Sequence, residues 1–192
     1  DGMVIDYVID GRNRRIAKKV NGVVVQKFLY LNQLEPIAEL DGNNNLVSLF
    51  VYGSKGNVPE YIIKSGVAYK VITNQLGSVV KVINAYGGMV QQEIEYDSFG
   101  NILSDTNPTF QPFRLAGGLY DVDTKLVRFG ARDYDSETGR WTSKDPIKFD
   151  GGRNFYSYCN GDPVNLVDTN GLVAGKGYKS EEEAAKAAIQ DV

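Results

Sequence analysis

Histidine is absent from all 192 residues, and cysteine occurs once, at Cys159. Without histidine, Ser-His-Asp and Cys-His nucleophilic mechanisms and His-ligated metal sites are excluded. A single cysteine supports neither an internal disulfide framework nor a cysteine zinc site, so no metal and no cofactor is expected. The net charge is −3, and the only dense basic run is Arg12–Lys19. That run alternates with apolar residues and is expected on the solvent face of a strand, so nucleic acid is not an expected partner. No apolar stretch approaches the roughly 20 residues of a membrane span, and no signal peptide is visible. Any catalysis must run on carboxylates, hydroxyls, lysine, tyrosine or backbone amides.

What is present is turn and strand chemistry. The 21 glycines and 12 tyrosines suggest many tight turns joining aromatic-rich strands. Hydrophobic residues make up 42% and charged residues 23%, ordinary values for a globular chain. The sequence opens in mid-pattern at Asp1, as expected of a piece of something longer.

A loose repeat organises the first two thirds. Tyr7, Tyr30, Tyr52, Tyr96 and Tyr120 recur at intervals of 22 to 24 residues, with one interval doubled. Each is expected to end an alternating apolar run, and Leu76–Gly77 supply the turn of the missing slot. Asn21-Gly22 and Asp41-Gly42 interrupt runs of β-branched and aliphatic residues, the strongest short-range hairpin signal. One hairpin cannot bury its apolar face alone, whereas stacked hairpins share a continuous core. At each repeat the tyrosine ring fills the inner face and its hydroxyl reaches a neighbouring turn. Tyr96-Asp97-Ser98-Phe99-Gly100 reads as strand end, Asx turn and left-handed glycine.

Leu103–Phe113 carries two prolines and little alternation, which predicts a loop. Strands resume over Leu115–Arg132, around Gly117-Gly118 and Gly130. Arg128–Leu172 then concentrates turns, a Gly-Arg-Trp triplet and aromatics. At Val173 the character changes to a glycine-broken linker, and Ser180-Glu181-Glu182-Glu183 is a capping box opening a short helix.

The tyrosine units resemble the YD repeats of bacterial Rhs proteins, which are related to Tc toxin B and C subunits and to teneurins. The stretches GRWTSKDPI and DPVNLVDTNGL, in series, resemble the Rhs-repeat-associated core domain. The resemblance implies an all-β fold. A curved antiparallel sheet of YD hairpins forms an open fragment of a shell and ends in a core-domain plug, followed by the short C-terminal helix. It divides the chain into repeats at 1–102, core domain at 103–172, and linker with the start of a variable effector domain at 173–192. With so few repeats, some inner-face aromatics should be exposed. The resemblance further implies a secreted or exported bacterial polymorphic toxin whose shell encapsulates its own C-terminal effector. An immunity protein and secretion-system delivery proteins are the implied partners.

It also implies aspartic self-cleavage at Leu172–Val173, the bond where the composition changes. Two aspartates sharing one proton can divide the roles of base and acid. Asp145 and Asp168 are the favoured pair, Asp150 is the main rival and Asp162 a further possibility. Arg140 is placed to hold a carboxylate or to stack beside Trp141. The sequence departs from the family pattern at Thr169, where proline is usual, and at Lys148, where glycine is usual. Thr169 lacks the fixed φ that would preorganise the loop, so slow or absent cleavage is expected. The bland reading of these aspartates is that they hydrogen-bond turn amides. Two functional alternatives stand beside self-cleavage: a structural or adhesive β-scaffold without chemistry, and carbohydrate binding by a row of exposed tyrosines.

Overall fold

The computed structural model describes residues 2–151 and 153–176, and these are all-β. Ten strands form one antiparallel meander in chain order: β1 (Ile5–Ile9), β2 (Arg15–Val20), β3 (Val23–Tyr30), β4 (Pro36–Asp41), β5 (Leu46–Val51), β6 (Tyr61–Lys64), β7 (Val67–Thr73), β8 (Val79–Asn84), β9 (Val90–Tyr96) and β10 (Ile102–Asp105). A four-stranded sheet follows, β11 (Leu119–Tyr120), β12 (Leu126–Phe129), β13 (Arg132–Asp135) and β14 (Arg140–Trp141), and then a two-stranded pair, β15 (Leu166–Val167) and β16 (Gly175–Lys176). The capping box and helix expected from Ser180 onward lie outside the described residues.

The turns follow the sequence chemistry closely. Asn21 (φ 51) and Gly22 (φ 81) close the β2–β3 hairpin between Val20 and Val23, the double positive-φ geometry whose twist suits paired strands. Asp97 Oδ1 accepts from the amides of Phe99 and Asn101, both at 2.9 Å, and Gly100 takes φ 86. Asp10, Asp41 and Asn74 accept from the same i+2 and i+4 amides. The Asn74 turn ends in Gly77 (φ 82), filling the slot where no tyrosine stands.

The tyrosine hydroxyls fasten consecutive strands. Tyr30 donates to Arg15 O (3.0 Å), Tyr52 to Pro36 O (2.9 Å) and Tyr96 to Val79 O (2.8 Å), each the first residue of the preceding strand. Their rings pack partly buried against Phe28, Phe50, Ile62 and Val82. The expected exposure of inner-face aromatics is therefore not found at these positions, and the row of exposed tyrosines required for carbohydrate binding is absent among the described residues. Tyr7 departs from the series. It sits in mid-strand, and its hydroxyl donates to Asp121 Oδ2 at 2.8 Å.

The segment after β10 explains the burial. Leu103–Asp105 belongs to β10 and not to a loop, and residues 110–119 run buried across the sheet's inner face. Little alternation is expected there, because protein surrounds the chain on all sides. Phe113 meets Phe50 edge to face at 4.9 Å, and Ser78 Oγ accepts from the Ala116 amide at 2.9 Å. In a flat sheet, β1 and β10 would lie roughly 43 Å apart at about 4.8 Å per strand. Instead Arg114 pairs with Asp105 of β10 and lies over Tyr120, while the next residue, Asp121, binds Lys18 of β2 and Tyr7 of β1. One short run of side chains links the two ends, so the sheet curls around the plug without closing.

The basic run is corrected in consequence. Arg15 and Lys18 are buried, at 3% and 7% exposure. Arg15 pairs with Asp133, and Lys18 bridges Asp121 and Asp123 at 2.6 Å each. The plug supplies carboxylates to what the local sequence presents as a solvent face.

Candidate active site

Beyond β12, four aromatics form a compact platform. Phe129, Tyr134, Trp141 and Tyr158 are all nearly fully buried, with Tyr134 and Tyr158 centred 4.3 Å apart. Strand alternation sets this arrangement: in β13, Arg132 and Tyr134 point inward together, and Tyr134 stands opposite Trp141 of β14. The Arg132 guanidinium lies over the Trp141 ring at 4.3 Å.

Arg132 then gathers three chain segments. Nε donates to Gly171 O (2.6 Å), Nη1 to Phe155 O (3.2 Å), and Nη2 reaches Asp145 Oδ2 at 2.8 Å and Asp168 Oδ2 at 3.5 Å. Arg132, Asp145 and Asp168 are 3%, 6% and 3% exposed. Asp145 sits in a turn before Pro146, where its Oδ1 accepts from the Ile147 amide at 3.0 Å. Asp168 follows β15 directly, and its Oδ1 accepts from the Leu172 amide at 2.9 Å. One guanidinium thus faces two buried carboxylates. Asp145 holds the shorter contact. Burial pushes the Asp168 carboxyl above the usual carboxylate range, against the opposing pull of the Leu172 amide and Arg132.

Glycine makes the close approach of the 168–172 loop possible. Gly171 has φ 69, and a Cβ there would come within 3.0 Å of Arg132 N and Phe129 O. Gly130 faces the loop from the other side, where a Cβ would meet Asn170 O at 2.5 Å. The Ala131 amide donates to that same oxygen at 2.9 Å. Asn170 Oδ1 accepts from the amides of Leu172 (2.9 Å) and Val173 (3.3 Å), so the Leu172–Val173 peptide and the one before it are both held. Past it, Gly175–Lys176 pair with Leu166–Val167.

Asp145 and Asp168 are brought together, whereas Asp150 and Asp162 are not. Asp150 is exposed in the turn Lys148–Gly151, and the exposed Asp162 carboxylate accepts from the Asn165 side chain. Arg140 is exposed too, and its expected contacts belong to Arg132 instead. Neighbouring residues on a strand face opposite ways, so an inward Trp141 turns Arg140 outward. The overlooked signal was Arg132 two residues before inward Tyr134. Lys148, where the resemblance leads one to expect glycine, adopts φ 58, a left-handed conformation that costs a side chain about 1–2 kcal/mol.

The teneurin YD-shell family model matches residues 1–164. The chain belongs to the YD-shell family. Teneurin-1 of Gallus gallus is 33% identical over 181 residues, covering 86% of this chain and 6% of the relative. The tRNA3(Ser)-specific nuclease WapA of Bacillus spizizenii is 30% identical over 183 residues, covering 90% of this chain and 8% of the relative. This YD-shell segment therefore spans under a tenth of the curated relatives it matches. Among solved structures, TcdB2-TccC3-TEV superposes with a TM-score of 0.66 at 24% identity, over 88% of this chain and 9% of that one. That likeness is one of fold.

Proposed function

We propose that the chain is the closing shell-and-plug segment of a bacterial Rhs-type toxin, cut by its own aspartates at Leu172–Val173. In this reading residues 1–102 are shell repeats, 103–172 the core, and 173 onward the start of an enclosed effector. The toxin is exported or delivered from the cell, and an immunity protein and delivery proteins are its partners. Kinship with WapA, whose name records a nuclease specific for tRNA3(Ser), supports an effector cargo. The observation that carries the cleavage reading is Asp145 and Asp168 buried on one guanidinium, with Asp168 bonded to the Leu172 amide.

The chemistry follows from the asymmetry of the pair. Asp145, paired with Arg132 at 2.8 Å, takes a proton from water as the water oxygen adds to the Leu172 carbonyl carbon. Asp168, with its raised pKa, gives a proton to the Val173 nitrogen, and the C–N bond breaks to leave a Leu172 carboxylate and a Val173 amine. Its rate should fall as pH rises through the Asp168 pKa.

The test is intact mass and N-terminal sequencing of the chain fused after Val192 to a reporter domain. A new N-terminus at Val173, lost in Asp145→Asn and Asp168→Asn, is expected. A wild-type product that stays whole, indistinguishable from Asp145→Asn, overturns cleavage. It would favour the scaffold reading, in which Arg132 simply ties three segments together.

A further inference from the structure

A second polar site lies where β2 and β3 meet the plug. A crevice of about 30 Å³ is lined by Arg15, Arg128, Asn57, Gly117, Gly118 and Thr169, among others. Thr169 belongs to the loop that carries Asp168, but the crevice is separate from the Arg132 cluster.

Charge is out of balance there. Arg15 and Arg128 share a single carboxylate, Asp133, at 2.6 and 3.2 Å. Neighbouring Arg14 is already neutralised by Asp10 at 2.7 Å. One positive charge is left over between two guanidiniums whose side chains are 4% and 9% exposed, offset only by neutral partners: the Tyr7 ring under Arg15 at 3.7 Å, and Asn13 O and Oδ1 accepting from Arg128. The Nε–H groups of both Arg15 and Arg128 also lack a hydrogen-bond partner among the described residues. A buried charge without a partner, and buried donors without acceptors, are each costly.

We propose that this crevice binds a small monovalent inorganic anion of halide size. The anion supplies the missing negative charge and accepts from the idle guanidinium donors. Room for a water-sized species runs at about 10–15 Å³, so a crevice of this size suits a small anion with one water. The water satisfies Asn57 Oδ1, an acceptor that is also unpartnered among the described residues. The lowered pKa of Arg128, caused first by burial and opposed by Asp133, includes repulsion from Arg15, as expected of an under-compensated pair. Water alone would satisfy the donors and leave the charge.

Two measurements on the full chain decide the matter. Thermal midpoints are compared in potassium chloride or bromide against potassium gluconate at equal ionic strength. A halide-specific rise that saturates is expected, abolished in Arg128→Gln. In Thr169→Val, which keeps both guanidiniums, the halide concentration giving half the rise should increase roughly fivefold if the hydroxyl donates one ordinary hydrogen bond. Bromide-soaked crystals should show an anomalous peak between Arg15 and Arg128. Equal midpoints in halide and gluconate, or bromide confined to the outer surface, overturn the proposal. If Arg128→Gln fails to fold, the bromide map and Thr169→Val still decide.

Discussion

The sheet and the plug put aspartate to opposite uses. In the sheet's turns Asp10, Asp41 and Asp97 face solvent and collect amide hydrogen bonds. These are led by the Arg14 amide at Asp10 and the Asn45 side chain at Asp41. At Asp97 modest burial works the other way, and the bonds from Asn101 and its neighbours outweigh it. All three carboxyls are held below their usual range. In the plug Asp168 is buried, and burial wins, so its carboxyl is pushed up. The same side chain stabilises a turn where water remains at hand and is harder to ionise where water is excluded. Local sequence specifies the first use, whereas the second requires segments distant in the chain.

The largest test of this contrast is Arg132→Ala. It strands two buried carboxylates and should cost about 3–5 kcal/mol in denaturant unfolding. A loss no greater than that of an exposed ion pair would show that the plug's polar cluster is as dispensable as a surface contact.

The next effect separates the regions by sign. The turn carboxylates, with lowered folded pKa values, contribute stability above their unfolded values near about pH 3.9, lost as pH falls through the folded values. Asp168, with a raised value, contributes stability below about pH 3.9 that is lost as pH rises through its folded value. Asp168→Asn should therefore gain in melting temperature relative to wild type as pH rises above about 4, whereas the deficit of Asp97→Asn should shrink as pH falls below about 4. Parallel trends for the two variants would erase the distinction.

The smallest effect probes the sheet alone. Tyr52→Phe removes one hydroxyl-to-carbonyl bond and should cost about 1 kcal/mol, since the Pro36 carbonyl keeps its strand position. A cost several times larger would mean that the repeat depends on its polar fastening as heavily as the plug does.

The same contrast explains what could be read from the sequence. Asn21-Gly22, Asp97–Gly100 and the tyrosine spacing act through neighbours in the chain, so hairpins, turns and the all-β fold were legible. The pairing of Asp145 with Asp168 was anticipated from carboxylate chemistry and family likeness. Arg132 was not, because its partners stand 13 and 36 residues away and nothing local marks it as an ion holder. Arg15 and Lys18 were misread for the same reason. Their carboxylates arrive from residues 121–133, and only the curl of the sheet brings them there.

The tyrosine fastenings carry a consequence for how such a chain can change length. Each hydroxyl reaches only the adjoining strand, so a hairpin brings its own rivet and requires nothing of distant ones. Duplicating or deleting a unit leaves every remaining joint intact. The strip can thus be lengthened or shortened a hairpin at a time without loss of these fastenings.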